Sequence, residues 1–375
     1  MTSQNKNADY FLHLLASALN ETPVKKAPNG VDYRAILALA KKHQVYNIIY
    51  PVIAGANDLS QADREAGRNY NLSEITRMIA VNSERSQIFE QLKAQKIKFM
   101  PLKGLIIKAY YPKESMRQMS DNDILFDASK RDDVARIMKS RGYKTVATGE
   151  NSDDYFKAPY CTFEFHRNLF FEENAFCPKF DNLWERAVKD SDNEYLYHMG
   201  TDDVYIYSVC HMYKHFSTAG CGVRFLADHY LFLKKENDKL DWDYINASLE
   251  KFGILAYEQK SRKLAFDIFE EKELEEDELT LLETYMNHGI YGDGAVRLTR
   301  QLKNLAENEN IQTAKKKYLL SRLFPSRKKM IADYRILEKK PYLLPALYIY
   351  RLIKGLFNFR KTVGEVKTVS KIDDK

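Results

Sequence analysis

The sequence predicts an α+β fold, a small mixed sheet set between helical segments. Three observations predict it. Apolar residues recur at helical spacing over most of the first hundred residues and again throughout the second half. Between these regions, residues 97 to 170 break into short apolar or alternating runs, in the order strand, helix, strand, helix, strand. Finally, 375 residues exceed what a single hydrophobic core usually spans, so several subdomains are expected.

In chain order, "ADYFLHLLASALN" (8–20) and residues 32–54 carry helical spacing, and 60–96 reads as one or two long, polar-faced helices. "IKFMPL" (97–102) is short, apolar and bounded, which predicts a strand. "LIIKAYY" (105–111) predicts a helix of two turns, and "DILF" (123–126) a second strand. "SKRDDVARIMKSRGY" (129–143) predicts a helix capped by Ser129 and stopped at Gly142. "YCTFEFHRNLF" (160–170) alternates as a strand does. From residue 178 the helical period returns in "NLWERAV", "TDDVYIYSVCHMYKHF", "VRFLADHYLFLKKEN", "WDYINASLEKFG", "SRKLAFDIFEE" and "DELTLLETYMNHG". Thr201 or Asp202 is expected to cap the second of these and Asp241 the fourth. No repeat of 20 to 50 residues is present, which excludes a solenoid. The expected organisation is an N-terminal helical segment (1–95), an α/β core (96–177), a helical domain (178–310), a basic helical segment (311–362) and a disordered tail (363–375).

Composition narrows the class. Hydrophobic residues make up 45% of the chain, and Gly and Pro are sparse, so the bulk is globular. No run approaches about 18 consecutive apolar residues, so no membrane-spanning helix is expected. The polar start "MTSQNKNADY" lacks the apolar core of a signal peptide. Cys161, Cys177, Cys210 and Cys221 show no C-x-x-C spacing and read as buried thiols of a cytoplasmic protein. The net charge of +6 conceals an asymmetry. Residues 313–361 hold 14 Lys and Arg against two acids, a local +12, while the remainder carries 44 basic and 50 acidic residues, or −6. A mildly acidic body with a basic C-terminal segment suggests contact with something anionic through residues 313–361.

The chemistry is concentrated in the predicted sheet. Asp121 and Asp123, two apart at the head of a strand, point to one face. Two carboxylates so placed repel unless a cation lies between them. Mg²⁺ takes carboxylate oxygens together with substrate phosphates. In "TFEFHRN", Phe163 and Phe165 face the core, and Glu164 and His166 face the other way, into a cleft. Glu164 is therefore the candidate third carboxylate. Lys103 supplies a point charge suited to phosphate, and Gly104 lets backbone approach a ligand at a helix start. Acids for a metal beside an anion-binding corner are equipment for nucleotidyl transfer.

The run "LKG…YYP…R…MSDNDILF", followed by "RGY" and "FEFHRNLF", resembles the uncharacterised bacterial nucleotidyltransferases of the polymerase-beta-like superfamily. The likeness continues through "LWERA", "HMYKH", "RFLADHYLFL", "WDYI", "FPSR" and "P…YIYRL", so it covers most of the chain. The resemblance implies a nucleotidyltransferase core with helical additions on both sides. It implies Asp121, Asp123 and Glu164 as catalytic metal ligands for Mg²⁺ or Mn²⁺. It also implies Lys103, Gly104 and Arg117 at the phosphates of a nucleoside triphosphate; His166, on the cleft face, joins that binding set. The expected activity is transfer of a nucleoside monophosphate to an acceptor: a sugar, peptide, protein or RNA. A non-catalytic binding protein that keeps this fold, and uses its helices and basic segment for a partner or membrane, is the alternative. A phosphotransferase moving the γ-phosphate is a further one.

Other motifs have plainer readings. His211 and His215 in "HMYKH" have zinc-ligand spacing, but Met212 stands where a metalloprotease needs Glu, so they read as satisfied helix histidines. Lys214 and Asp228 read as an ion pair, or as contacts to the acceptor. "LLPALYIYRLIKGLFNFRK" is expected to pack its Leu and Tyr residues on the helical body, with an anionic membrane surface as the alternative.

Overall fold

The structure, a computed structural model, describes residues 5–171, 174–290, 292, 294–306, 310–334 and 336–357. The expected tail, 363–375, lies outside the described residues.

Five strands form the central sheet: β1 (Phe99–Pro101), β2 (Asn122–Phe126), β3 (Lys144–Thr148), β4 (Ser152–Lys157) and β5 (Cys161–His166). Their order is β1-β2-β5-β4-β3; β2 and β5 run parallel and every other neighbouring pair antiparallel. The sheet is therefore mixed. Its parallel pair is joined through the helix Arg131–Ser140 and the β3–β4 hairpin, the long connection that parallel strands require. Sequence reading expects three strands and misses this hairpin. β3 is an edge strand of mostly exposed side chains, so no apolar alternation marks it.

Alternation divides the sheet into two faces. Ile124 and Phe126 of β2 and Phe163 and Phe165 of β5 are buried on one face. They pack with Ile88 and Leu92 from the end of the long helix Gln61–Ala94, and with Val134, Ile137 and Met138. The intervening residues point the other way. Leu125 joins Met100 and Leu102 in the large helical core on that side, and Asp123 stands across the parallel register from Glu164. Two helices that contribute to this core, Thr201–Thr218 and Arg224–Glu236, also line the charged half of this face.

Several expected elements change at their edges. Residues 32–54 form two helices, Tyr33–Lys42 and Tyr46–Ile53, separated where Gln44 adopts φ 52°. "LIIKAYY" is one α-helical turn, Gly104–Ile107, followed by the 3-10 turn Lys108–Tyr110. Ser129 does not cap Arg131–Ser140, which begins at Lys130 with no side-chain cap; Asp127 caps the preceding 3-10 turn Ala128–Lys130 by accepting from Ser129 N at 3.0 Å. Thr201–Thr218 begins at Gly200 with no side-chain cap, whereas Asp241 caps Trp242–Lys251 by accepting from Tyr244 N at 3.0 Å. "NLWERAV" is helical only over Leu183–Arg186. No disulfide joins the four cysteines.

The basic segment is a set of short helices, Ile311–Leu323, Arg327–Asp333, Ile336–Lys339 and Leu344–Phe357. The last packs by one side only: Tyr348 Oη donates to Pro325 O at 2.5 Å, and Arg351 reaches Asp333 at 3.5 Å. Ile349, Tyr350 and Ile353 are exposed, and these contacts are to the basic segment itself rather than to the helical body on which packing is expected. No helix among the described residues is long and apolar enough to cross a membrane.

Candidate active site

A cleft of about 300 Å³ opens on the charged half of the sheet. Lys103, Gly104, Arg117, Asp121, Asp123 and Glu164 line it from the sheet side. Tyr207, His211, Lys214, His215, Arg224 and Asp228 line it from the two covering helices. Parallel pairing sets the register that places Asp123 beside Glu164. His166, two residues further along β5, reaches back so that its Nε2 lies 2.7 Å from Asp123 Oδ1 and 3.5 Å from Glu164 Oε2. Asp123, Glu164 and His166 thus bring three ligand atoms within 4.8 Å of one another. Asp121 lines the same cleft one residue before β2, outside this tight group. Asn122, between the two acids, turns to the opposite face, where its Nδ2 donates to Thr162 O at 3.1 Å.

Lys103 Nζ donates to the same Asp123 Oδ1 at 2.6 Å. Its ammonium provides the positive charge that paired carboxylates need. The backbone of Lys103 is at φ 50°, ψ −120°, a conformation suited to glycine that costs a non-glycine residue about 1–3 kcal/mol.

Burial alone would raise the Asp123 carboxyl, but Lys103 and His166 outweigh it and hold Asp123 well below the ordinary carboxylate range. Glu164 moves the opposite way: burial, then the charge of Asp123, pushes it up. Asp121 is also raised, by burial and by Asp123. The three acids therefore differ in basicity, and Glu164 is a carboxylate that holds a proton more readily than usual. His166 is lowered by burial and stays neutral. With Asp123 ionised, its Nε2 carries the proton it donates, which leaves Nδ1 buried without a hydrogen-bond partner.

Arg117 sits at the cleft wall with its guanidinium fork on Asp228: Nε to Oδ1 at 2.8 Å and Nη2 to Oδ2 at 2.7 Å. Tyr111 Oη donates to the same carboxylate at 2.7 Å. The pair expected between Lys214 and Asp228 is therefore replaced by Arg117–Asp228, because Asp228 faces the sheet from a fully buried helix stretch while Lys214 is exposed. The same arginine explains Gly104. A Cβ there would lie 2.2 Å from Arg117 Nη1, so glycine makes room for the guanidinium rather than for a ligand. The helix it opens has only one turn and therefore a small dipole, so phosphate charge at this corner falls to side chains.

Sequence reading also misses Arg224. It is buried, donates from Nη1 to Gln118 O at 3.0 Å, and is pushed down to about 10 by burial and by Arg117. Arg224 and Asp228 stand four apart, which resembles a surface pair. Only the ten consecutive buried residues of that helix distinguish it. His211 and His215 turn into the cleft with their Nε2 atoms 3.1 Å apart, and burial keeps both neutral, His215 at about 4. His211 and His215 belong to no group of metal-ligand side chains among the described residues.

A family described as "Uncharacterised nucleotidyltransferase" matches residues 29–270, a span that includes every cleft residue named above. None of the curated proteins matches the chain. A solution structure of the antibiotic-resistance factor ANT(2'')-Ia is similar at 10% identity over 52% of this chain and 98% of that one. Its TM-score is 0.34, a likeness too slight to draw on.

Proposed function

The chain belongs to the uncharacterised nucleotidyltransferase family, and we propose that it moves a nucleoside monophosphate from a nucleoside triphosphate to an acceptor, with Mg²⁺ or Mn²⁺ as cofactor. The observation that carries this reading is the meeting of Asp123, Glu164 and His166 within 4.8 Å at a cleft that Asp123 and Glu164 line together with Lys103, Arg117 and Arg224. Carboxylate oxygens suit Mg²⁺ or Mn²⁺, so Asp121, Asp123 and Glu164 on the cleft wall fit the cofactor. Asp123 and Glu164 would hold it, with Asp121 as the adjoining carboxylate and His166 orienting Asp123 through its Nε2–H. When bound, such an ion neutralises charge developing on the triphosphate.

The chain's own groups do the rest. Lys103 keeps Asp123 ionised; Lys103 and Arg117 are each held on a carboxylate, whereas Arg224 donates to Gln118 O and is a cleft cation suited to meet phosphate charge. Glu164, raised by its surroundings, is suited to accept the proton of the acceptor hydroxyl. A new bond joins the acceptor oxygen to the α-phosphorus, the α–β bridging P–O bond breaks, and pyrophosphate leaves.

The test is a thermal-shift titration of ATP, GTP, CTP and UTP, with and without Mg²⁺, on the wild type and Asp123→Asn. A ligand of the folded state at about 100 times its dissociation constant adds roughly 2.7 kcal/mol. A Mg²⁺-dependent shift in the wild type alone supports the reading. No shift with any nucleotide overturns it. Transfer of label from α- but not γ-labelled nucleotide separates it from phosphoryl transfer.

A further inference from the structure

We propose that the outer face of the helix Leu344–Phe357 lies on an anionic lipid surface. Pro345, Ala346, Ile349, Tyr350 and Ile353 follow one another at intervals of one, three, one and three, the spacing of a single helical stripe, and Tyr342 stands three residues before them in the 3-10 turn Pro341–Leu343. All six are exposed, Tyr342 to 72% and Ile349 to 61%. A stripe facing a core has this pattern; here it faces outward. The one charged residue between positions 342 and 353, Arg351, is half-buried and turned to Asp333, so the stripe itself carries no charge. Leu320, Leu323 and Phe324 of the same segment are exposed as well.

Charge selects the partner. The stripe belongs to the segment with 14 Lys and Arg against two acids, and Lys339 and Lys340 stand exposed just before it. A second copy packed on this face would bring two such segments together, at a Coulombic cost. Nucleic acid would use the cations and leave Ile349 and Ile353 without apolar partners. An anionic bilayer satisfies both, with carbon below the headgroups, tyrosines at their level and lysines among the phosphates. The helix has 14 residues, about 21 Å long, too short for a hydrocarbon core of about 30 Å, so it lies in the interface rather than crossing it. This surface does not involve the cleft and stands or falls apart from the nucleotidyl-transfer reading.

The experiment is flotation of the full chain with phosphatidylcholine vesicles, alone or with about 30% phosphatidylserine, at low and high salt. About tenfold more protein floats with the anionic vesicles, and high salt removes most of the difference. Ile349→Asp/Ile353→Asp abolishes flotation. Lys339→Glu/Lys340→Glu, which lies outside the helix and tests the proposal even if the first variant misfolds, reduces it about tenfold. Three results overturn the proposal: no flotation of the wild type, equal flotation with neutral vesicles, or variants that float like the wild type. So does a wild-type dimer in light scattering that Ile349→Asp/Ile353→Asp converts to monomer.

Discussion

The cleft and the C-terminal helix depart from ordinary packing in opposite directions. In the cleft, Asp123, Arg117, Arg224 and Asp228 are buried charges. On the helix Leu344–Phe357, Ile349, Tyr350 and Ile353 are exposed apolar side chains. Charges are seldom buried unless paired, and aligned apolar side chains are seldom left in water. The cleft offsets its departure internally, through Lys103–Asp123–His166 and Arg117–Asp228–Tyr111. The helix has no such internal compensation among the described residues. Removing one cleft residue should therefore upset both chemistry and stability, whereas removing a stripe residue should upset neither.

The largest effect expected is that of Asp123→Asn on transfer from α-labelled nucleotide, a loss of about a thousandfold. The same change leaves the Lys103 ammonium without its carboxylate, so it also lowers stability in urea unfolding. Lys103→Met/Asp123→Asn should recover much of that stability and none of the activity. Equal activity of Asp123→Asn and wild type would remove the cleft from the comparison. Next in size is Arg117→Met, which strands the buried Asp228 and costs about 3–5 kcal/mol. Arg117→Met/Asp228→Leu, which removes both charges, should recover most of it. Gly104→Ala acts through the same guanidinium, since its Cβ would lie 2.2 Å from Arg117 Nη1, and should cost about 1–3 kcal/mol.

What could be read from sequence follows the range of the interaction concerned. The facing of Asp123, and of Glu164 with His166, depends on alternation along one strand, a local rule, and is legible. The 2.7 Å approach of His166 to Asp123 depends on the β2–β5 register, which joins segments about 40 residues apart through a hairpin that has no apolar signature. Gly104 was legible as a position of close approach, but its neighbour, Arg117, comes from a separate turn. Arg224 and Asp228 look like a surface pair until the burial of their whole helix is known. In the C-terminal helix the apolar pattern was plain. Whether it faced the body or the outside was a matter of tertiary structure.

A smaller effect tests whether the body follows the cleft's rule for buried polar groups. His43 is fully buried, and burial followed by the charge of Lys42 lowers its pKa from the usual 6.5 to about 3. The folded chain therefore leaves His43 neutral at pH 5, while the unfolded chain protonates it. The unfolded state binds more protons between pH 6.5 and 3, so stability is full above 6.5 and falls with pH through that window. Comparison with His43→Gln cancels every other titrating group. The stability advantage of the wild type should shrink by about 2 kcal/mol between pH 7.5 and 5. An advantage independent of pH would show that His43 charges in the folded state.

The smallest effect is expected on the helix Leu344–Phe357, and it is read most cleanly against the same residue type buried in the sheet behind the cleft. Ile124 is fully buried in β2, and Ile349 is 61% exposed. Ile124→Ser removes core packing and buries a hydroxyl, at a cost of about 3–5 kcal/mol. Ile349→Ser should change the unfolding free energy by no more than about 0.5 kcal/mol, the usual range for an exposed side chain. Urea unfolding of the two variants side by side measures the contrast. Were Ile349→Ser to cost as much as Ile124→Ser, the stripe would be part of the chain's own core, covered by some other part of the molecule, and its apolar residues would need no partner. A negligible change together with lost flotation leaves them serving only a surface outside the chain.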